Sequence, residues 1–367
     1  YADGKYTFEH SGTDAKISVG TNAVGVYAKN ALGTLNIKAP IDIAASGTDK
    51  DKGTTIGIYS DGNANVKFGD NSKLTIGEGA VGLYSSDASK FNNTFEIESG
   101  KKLTVKLAKN STFGLLNGAT ANDVPLSKYL NNGTTDKIEI TQFDKGASLF
   151  YATSGAKAVL DEDYTVTNGN AESTSVLVAN NGATAKIASG KKLETNTNVG
   201  LIANAGGAVA ENEGTLESTR ADKGIGIYAK SATAKNTKTA TTTATITMNN
   251  QNAVGMLGVI GSTLINTGKI GLGGVSSAGM YGEDSDLTNS GSTSKITVNK
   301  EKSAGMYAKM TKDATAAKVS KNEGTIEILA DGDGKSAGMY SLMEGGSTQK
   351  LTTQNTGTIE VAQQVSA

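Results

Sequence analysis

Apolar residues along this chain come in short alternating runs rather than in helical stripes. Gly268-Lys269-Ile270-Gly271-Leu272, Lys295-Ile296-Thr297-Val298, Gly324-Thr325-Ile326-Glu327-Ile328 and Gly357-Thr358-Ile359-Glu360-Val361 alternate apolar with other residues, the period of a strand with one buried face. Just upstream of each stands a shorter run of the same kind: Ser262-Thr263-Leu264-Ile265, Asp286-Leu287-Thr288, Ala317-Lys318-Val319-Ser320 and Gln349-Lys350-Leu351-Thr352. A third run carries a signature, Ser336-Ala337-Gly338-Met339-Tyr340, whose close copies include Val24-Gly25-Val26-Tyr27, Ile56-Gly57-Ile58-Tyr59, Val81-Gly82-Leu83-Tyr84, Ile225-Gly226-Ile227-Tyr228, Ala278-Gly279-Met280-Tyr281 and Ala304-Gly305-Met306-Tyr307. Weaker copies, such as Phe113-Gly114-Leu115-Leu116, Ser148-Leu149-Phe150-Tyr151, Val199-Gly200-Leu201-Ile202 and Val254-Gly255-Met256-Leu257, fill the gaps, so that the series recurs every 24 to 35 residues.

Three short strands per repeat, always in the same order and with no helix between them, predict an all-β parallel β-helix of about 12 to 13 coils spanning residues 1–367 as one solenoid. No single coil can bury its apolar face alone, so like stacks on like. Within the signature, the alternation predicts that the residues flanking the glycine (Val24 and Val26, Ile56 and Ile58, Ala304 and Met306) point inward, and that glycine and tyrosine point outward. Asn212-Glu213-Gly214, Asn266-Thr267-Gly268, Asn289-Ser290-Gly291, Asn322-Glu323-Gly324 and Asn355-Thr356-Gly357 stand ahead of strands. They are expected to make corners with positive φ, and asparagines aligned coil on coil would hydrogen-bond as a ladder. The Thr/Ala/Lys tract from Ser231 to Thr247 reads as a polar strand face plus a loop.

Composition narrows the function classes. Gly numbers 46 and Pro only 2, which suits many turns and unbroken ladders, and with zero Cys there is no disulfide framework. A formal net charge of -1, with Arg220 as the sole arginine, offers no field for nucleic acid. No apolar run reaches membrane-spanning length, so direct membrane insertion of this segment is not expected. Tyr1-Ala2 matches the second half of the signature, and the chain stops after Gly357 to Val361 where the next copy is due. The expectation is a slice of a longer solenoid.

The recurring Ser-Ala-Gly-Met-Tyr and Val-Gly-Leu-Tyr copies, the Asn-x-Gly-Thr-Ile strands, the Lys-rich and Arg-poor composition and the absent cysteines resemble the passenger regions of large fusobacterial type V autotransporter adhesins, the RadD-like group. The resemblance covers the whole chain. It implies a right-handed β-helical passenger, monomeric and displayed at the cell surface of a diderm outer membrane. It further implies export through a C-terminal barrel and attachment to a protein or glycan of another bacterium or a host cell. A passive stalk that presents a distal tip is the alternative, and a polysaccharide lyase or hydrolase a third reading.

Candidate chemistry is sparse. His10 is the single histidine, and Glu9 and Asp14 beside it form no recognisable triad; Asp161-Glu162-Asp163 is the densest acidic cluster and reads as a solvated turn. Asp331-Gly332-Asp333-Gly334 lacks the remaining ligands of a calcium loop, and Gly271-Leu272-Gly273-Gly274 opens no helix. No catalytic residue, cofactor or metal is expected. Two features point to recognition instead. The ladder Tyr27, Tyr59, Tyr84, Tyr151, Tyr228, Tyr281, Tyr307 and Tyr340 is either a packing stripe or a shallow aromatic platform. The insertion from Ala121 to Asn132 gathers Val124, Leu126, Tyr129 and Leu130, which either meet a partner or fold back on their own coil.

Overall fold

A computed structural model of the chain describes residues 2–3, 16–29, 34–47, 54–61, 65–69, 72–91, 95–126, 138–169, 171–329 and 335–362. The fold is all-β: apart from a single turn of 3-10 helix at Ala88–Lys90, the elements among these residues are short strands joined in parallel to the equivalent strand one coil away. Internal contacts divide the chain into two compact units, residues 1–178 and 179–367. Each is a parallel β-helix.

In the second unit every coil repeats the same three strands. The signature strands Val199–Asn204, Ile225–Lys230, Val254–Val259, Ala278–Glu283, Ala304–Met310 and Ala337–Met343 pair in register from coil to coil. A second row runs from Val209–Asn212 through Thr233–Asn236, Thr263–Asn266, Asp286–Asn289 and Lys318–Asn322 to Leu351–Asn355. The third row contains Thr215–Ser218, Thr245–Met248, Lys269–Leu272, Lys295–Val298, Thr325–Ile328 and Thr358–Val361. The low-complexity tract supplies Thr233–Asn236 and the start of Thr245–Met248, with a threonine-rich loop between them.

The interior is a stack of aliphatic layers. Met256, Met280 and Met306 from the first row face Ile246, Ile270, Ile296 and Ile326 from the third, all at 0 or 1 % exposure, and each such side chain contributes roughly 1.5–3 kcal/mol by leaving water. Along one corner runs the asparagine column. Asn212 donates through Nδ2 to Oδ1 of Asn236, and the pattern repeats to Asn266, Asn289, Asn322 and Asn355 at 2.7 to 2.8 Å. The first five of these asparagines are fully buried. The ladder expected from the Asn-x-Gly motifs is therefore present, and it contains Asn236, which no Asn-x-Gly motif marks.

Those motifs do not act through positive φ, apart from Gly291 (φ 96). Gly214, Gly268, Gly324 and Gly357 have ordinary backbone angles. A Cβ on them would fall on carbonyl oxygens of the neighbouring coil, Lys191, Ala244, Ser294 and Gly324 respectively. Close coil-to-coil approach, not a left-handed turn, demands glycine there. The left-handed corner lies elsewhere, two residues before most signature strands: Asn22, Gly79, Asn110, Gly146, Lys223, Asn252, Ser276 and Lys302 all have φ between 52° and 74°.

The signature glycines also differ from the strict alternation. A Cβ on Gly305 would meet Cγ2 of Ile326 at 2.5 Å and the carbonyl oxygen of Gly338 at 2.7 Å; Gly226, Gly255 and Gly279 repeat the arrangement with Ile246, Ile270 and Ile296. Glycine thus faces inward, toward the third-row aliphatic residue, and the outward placement expected for it is corrected. Strand pairing skips this residue, running from Ala278 with Ala304 to Met280 with Met306, and marks a kink in the backbone. In consequence the preceding position turns toward the outer surface, where Ala278, Ala304 and Ala337 line a groove, and the inward placement expected for Ala304 is corrected.

The first unit uses the same rows with a different filling. Val24–Lys29, Ile56–Ser60, Val81–Ser85, Thr112–Asn117 and Ser148–Thr153 stack in one row, and Ile17–Val19, Pro40–Ile43, Lys73–Ile76, Leu103–Leu107 and Ile138–Phe143 in another. Thr34–Ile37, Asn65–Phe68 and Phe95–Ile97 make the third. Buried rings occupy this interior: Phe91 meets Phe95 at 5.0 Å and Phe150 at 6.4 Å, and Phe113 meets Phe150 at 5.5 Å, all edge to face.

Two substitutions separate these roles. Gly305→Ala should destabilise by about 1–3 kcal/mol through overpacking, whereas Gly271→Ala, whose Cβ meets nothing within 4 Å, should leave the thermal midpoint nearly unchanged. Equal midpoints would show that the kink tolerates a side chain. Asn266→Leu breaks the column on both sides and should cost about 1–3 kcal/mol in denaturant titration, against little for the exposed Lys269→Ala.

Candidate functional site: the tyrosine face

The kink at the signature glycine creates an outer surface feature. Because the residue before glycine and the tyrosine three positions later both face outward, Ala278, Ala304 and Ala337 lie beside Tyr281, Tyr307 and Tyr340 across three stacked coils. They line a shallow groove of about 450 Å³ in the second unit, with Ser276, Ser277, Ser303, Lys302 and Lys335 on its far wall. The left-handed corner residues Ser276 and Lys302 place that wall one step from the alanine floor.

The eight tyrosines expected to form one ladder do occupy equivalent strand positions, and among the described residues two groups of three have rings that meet. In the first unit Tyr27 stacks on Tyr59 at 4.8 Å with planes 7° apart, and Tyr59 on Tyr84 at 5.1 Å. In the second, Tyr281 stacks on Tyr307 at 4.9 Å and 12°, and Tyr307 lies 5.0 Å from Tyr340, tilted by 32°. Tyr151 is next to Leu115, and Tyr228 sits between Ile202 and Leu257. The weaker signature copies are thus the breaks in the ladder.

Stacking decides what these tyrosines can contact. Rings set face to face cover one another, so a ligand meets their edges and hydroxyl groups rather than a flat platform. Tyr340 is the most exposed ring of its group, at 46 %. Burial raises the phenol of Tyr281, and likewise that of Tyr228, above the ordinary tyrosine value. Two residues further along the same outer face, Lys309 bridges Glu283 and Glu344 at 3.0 and 2.9 Å, hydrogen bonds that raise its own pKa and hold the Glu344 carboxyl below the usual range.

The insertion behaves differently from an exposed contact loop. Val124 is 3 % and Leu126 0 % exposed, and Val124–Pro125 pairs with Lys157–Leu160 of the next coil. Of the two readings left open for it, these two residues follow the one in which the segment folds back, because their apolar side chains complete their own coil. Tyr129 and Leu130 lie outside the described residues, as do His10 and Asp331 to Gly334. A polar groove of about 430 Å³ that the sequence did not indicate runs between Ile138–Phe143 and Tyr164–Val166, lined by Glu139, Thr141, Thr165, Thr167 and Asn168; the Asn168 amide spans it, donating to the carbonyl of Ile140 at 2.6 Å. Its signal would have been the outward Thr141, Thr165 and Thr167, a residue type too common on strand faces to single out. Among the described residues no group of three or more His, Asp or Glu side chains converges to hold a metal, and no helix is long and apolar enough to cross a membrane.

The model of the BigA third pectate lyase-like domain matches residues 136–367. The chain belongs to that family. The BigA third domain is a bacterial surface-protein domain, so the match places this chain among surface-exposed bacterial proteins, and its pectate lyase-like character agrees with the right-handed parallel β-helix expected from the sequence. No curated protein and no solved structure matches the chain.

The raised phenol gives a test of the site. A tyrosine whose folded pKa lies above its unfolded value contributes stability that is complete below the ordinary value of 10.0 and is lost as pH rises through the folded value. In an alkaline absorbance titration, Tyr281→Phe should remove a late-ionising phenol and leave the early ones unchanged. Loss of an early-ionising phenol instead would mean that Tyr281 is solvated.

Proposed function

We propose that this segment is the adhesive passenger of a bacterial surface protein of the autotransporter type, attaching the cell to a protein or glycan of another bacterium or of a host. The observation that carries this reading is the lining of the tyrosine groove. Alanine methyls, the exposed Ser276 hydroxyl, three tyrosine edges and two lysines, Lys302 and Lys335, offer contact area and hydrogen bonds rather than the acid and base pair that glycan hydrolysis uses. Tyrosine and serine supply such contacts at low entropic cost. Export through a C-terminal barrel, display at the outer membrane and action without catalysis or cofactor belong to the same reading, and the groove replaces the 121–132 insertion as its contact surface.

One observation favours the alternative of a passive stalk: the tyrosine rings cover each other's faces, which is what packing alone would produce. Labelled protein applied to whole bacterial and epithelial cells distinguishes the two. Attachment should be saturable, should leave the bound surface component chemically intact, and should fall about tenfold in the Lys302→Ala/Lys335→Ala variant, an effect of about 1.4 kcal/mol, with an unchanged melting curve. Attachment absent from the unmodified protein would favour the stalk, attachment indifferent to the lysines would move the contact away from this groove, and release of unsaturated or reducing sugars would overturn the non-enzymatic reading.

A further inference from the structure

The two tyrosine triplets share a feature that recognition does not use. In each, phenol rings on consecutive coils are held in register by the backbone: Tyr27, Tyr59 and Tyr84 in one unit, Tyr281, Tyr307 and Tyr340 in the other. Successive rings are 4.8 to 5.1 Å apart, close to the strand spacing of about 4.8 Å. All six rings keep part of their surface in solvent. A radical formed on one ring therefore has a second phenol as its immediate neighbour.

We propose that these triplets are sites of oxidative cross-linking, in which a one-electron oxidant joins tyrosines of adjacent coils as dityrosine. Each of two phenols gives up one electron and one proton to become a phenoxyl radical. The radicals couple through ring carbons ortho to oxygen, and the two hydrogens on those carbons return to the oxygens as protons to restore both phenols. The net loss is two hydrogen atoms per link. The oxidant is hydrogen peroxide acting through a haem peroxidase, which is reduced to two molecules of water. Rotation of half-exposed rings about their side-chain bonds brings the ortho carbons together without separating the strands. The product is a covalent staple between coils in a chain that has no cysteine.

The ladder contains its own control. Tyr228 has Ile202 and Leu257 as its strand neighbours, so it has no phenol at the equivalent position on either adjacent coil. This inference concerns the rings themselves and is independent of whether the groove binds a partner.

The test is to treat the whole chain, dilute enough to suppress encounters between molecules, with haem peroxidase and hydrogen peroxide, and to map cross-linked peptides by mass spectrometry alongside dityrosine fluorescence. Links are expected between Tyr27 and Tyr59 or Tyr59 and Tyr84, and between Tyr281 and Tyr307 or Tyr307 and Tyr340, each two hydrogens lighter than its parts. Tyr307→Phe keeps the ring and should abolish both links of the second triplet while sparing the first. Tyr340→Phe should remove only the link to residue 307, and Tyr228→Phe should change nothing. Links found only between molecules, links at Tyr228 as frequent as those in the triplets, or tyrosines modified singly without coupling would each overturn the proposal.

Discussion

A fully buried asparagine amide has to find its hydrogen bonds inside the protein, and in the second unit it finds them on the coil above and the coil below. That requirement fixes register. Sliding one coil by a single residue would bring Ile265 or Thr267 to the level of Asn236 and leave amide groups stranded in an apolar interior, at about 1–3 kcal/mol for each unsatisfied group. Apolar layers such as Met280 on Met306 tolerate small shifts, since methionine adapts to irregular space. The amides do not. From Asn212 to Asn355 the strand pairing, the kink at the signature glycine and the outward tyrosine share the register that this constraint fixes.

Much of this was legible in the sequence because a solenoid repeats its physics. The strand rows, their parallel order and the asparagine ladder followed from motifs that recur at a near-constant offset. Directions were harder to read. Period-two alternation assumes a regular strand, whereas the kink at Gly305 lets two successive positions face inward, and nothing in a single copy reveals that Ile326 fills the space where a Cβ would go. Likewise glycine in Asn-x-Gly suggested a left-handed turn, when the reason for it is a carbonyl of the neighbouring coil. Asn236 escaped notice because its following residues are Thr237 and Lys238; only its strand pairing with Asn212 and Asn266 places it in the column.

The candidate site shows the same limit. All eight tyrosines could be aligned by position, but whether neighbouring rings meet depends on what occupies the same position on the next coil, and Leu115, Ile202 and Leu257 divide the row. Val124 and Leu126 looked like an apolar patch on an insertion and proved to be core, since a loop with alternating apolar residues can pair as a strand with the coil that follows. Sequence spacing marks which residues share a row. It does not mark which of them the coil has room to bury.

The asparagine column also has a direction. Every link runs the same way, the amide nitrogen of one coil donating to the amide oxygen of the next, from Asn212 to Asn355. At its first member the column closes within the chain: the preceding coil sets Ile187 in register with Asn212, and the Asn212 oxygen accepts from the backbone amide of Gly214. Amide dipoles aligned in one sense polarise one another, so each bond in the column strengthens the next, and the column holds its coils together cooperatively rather than as separate pairs.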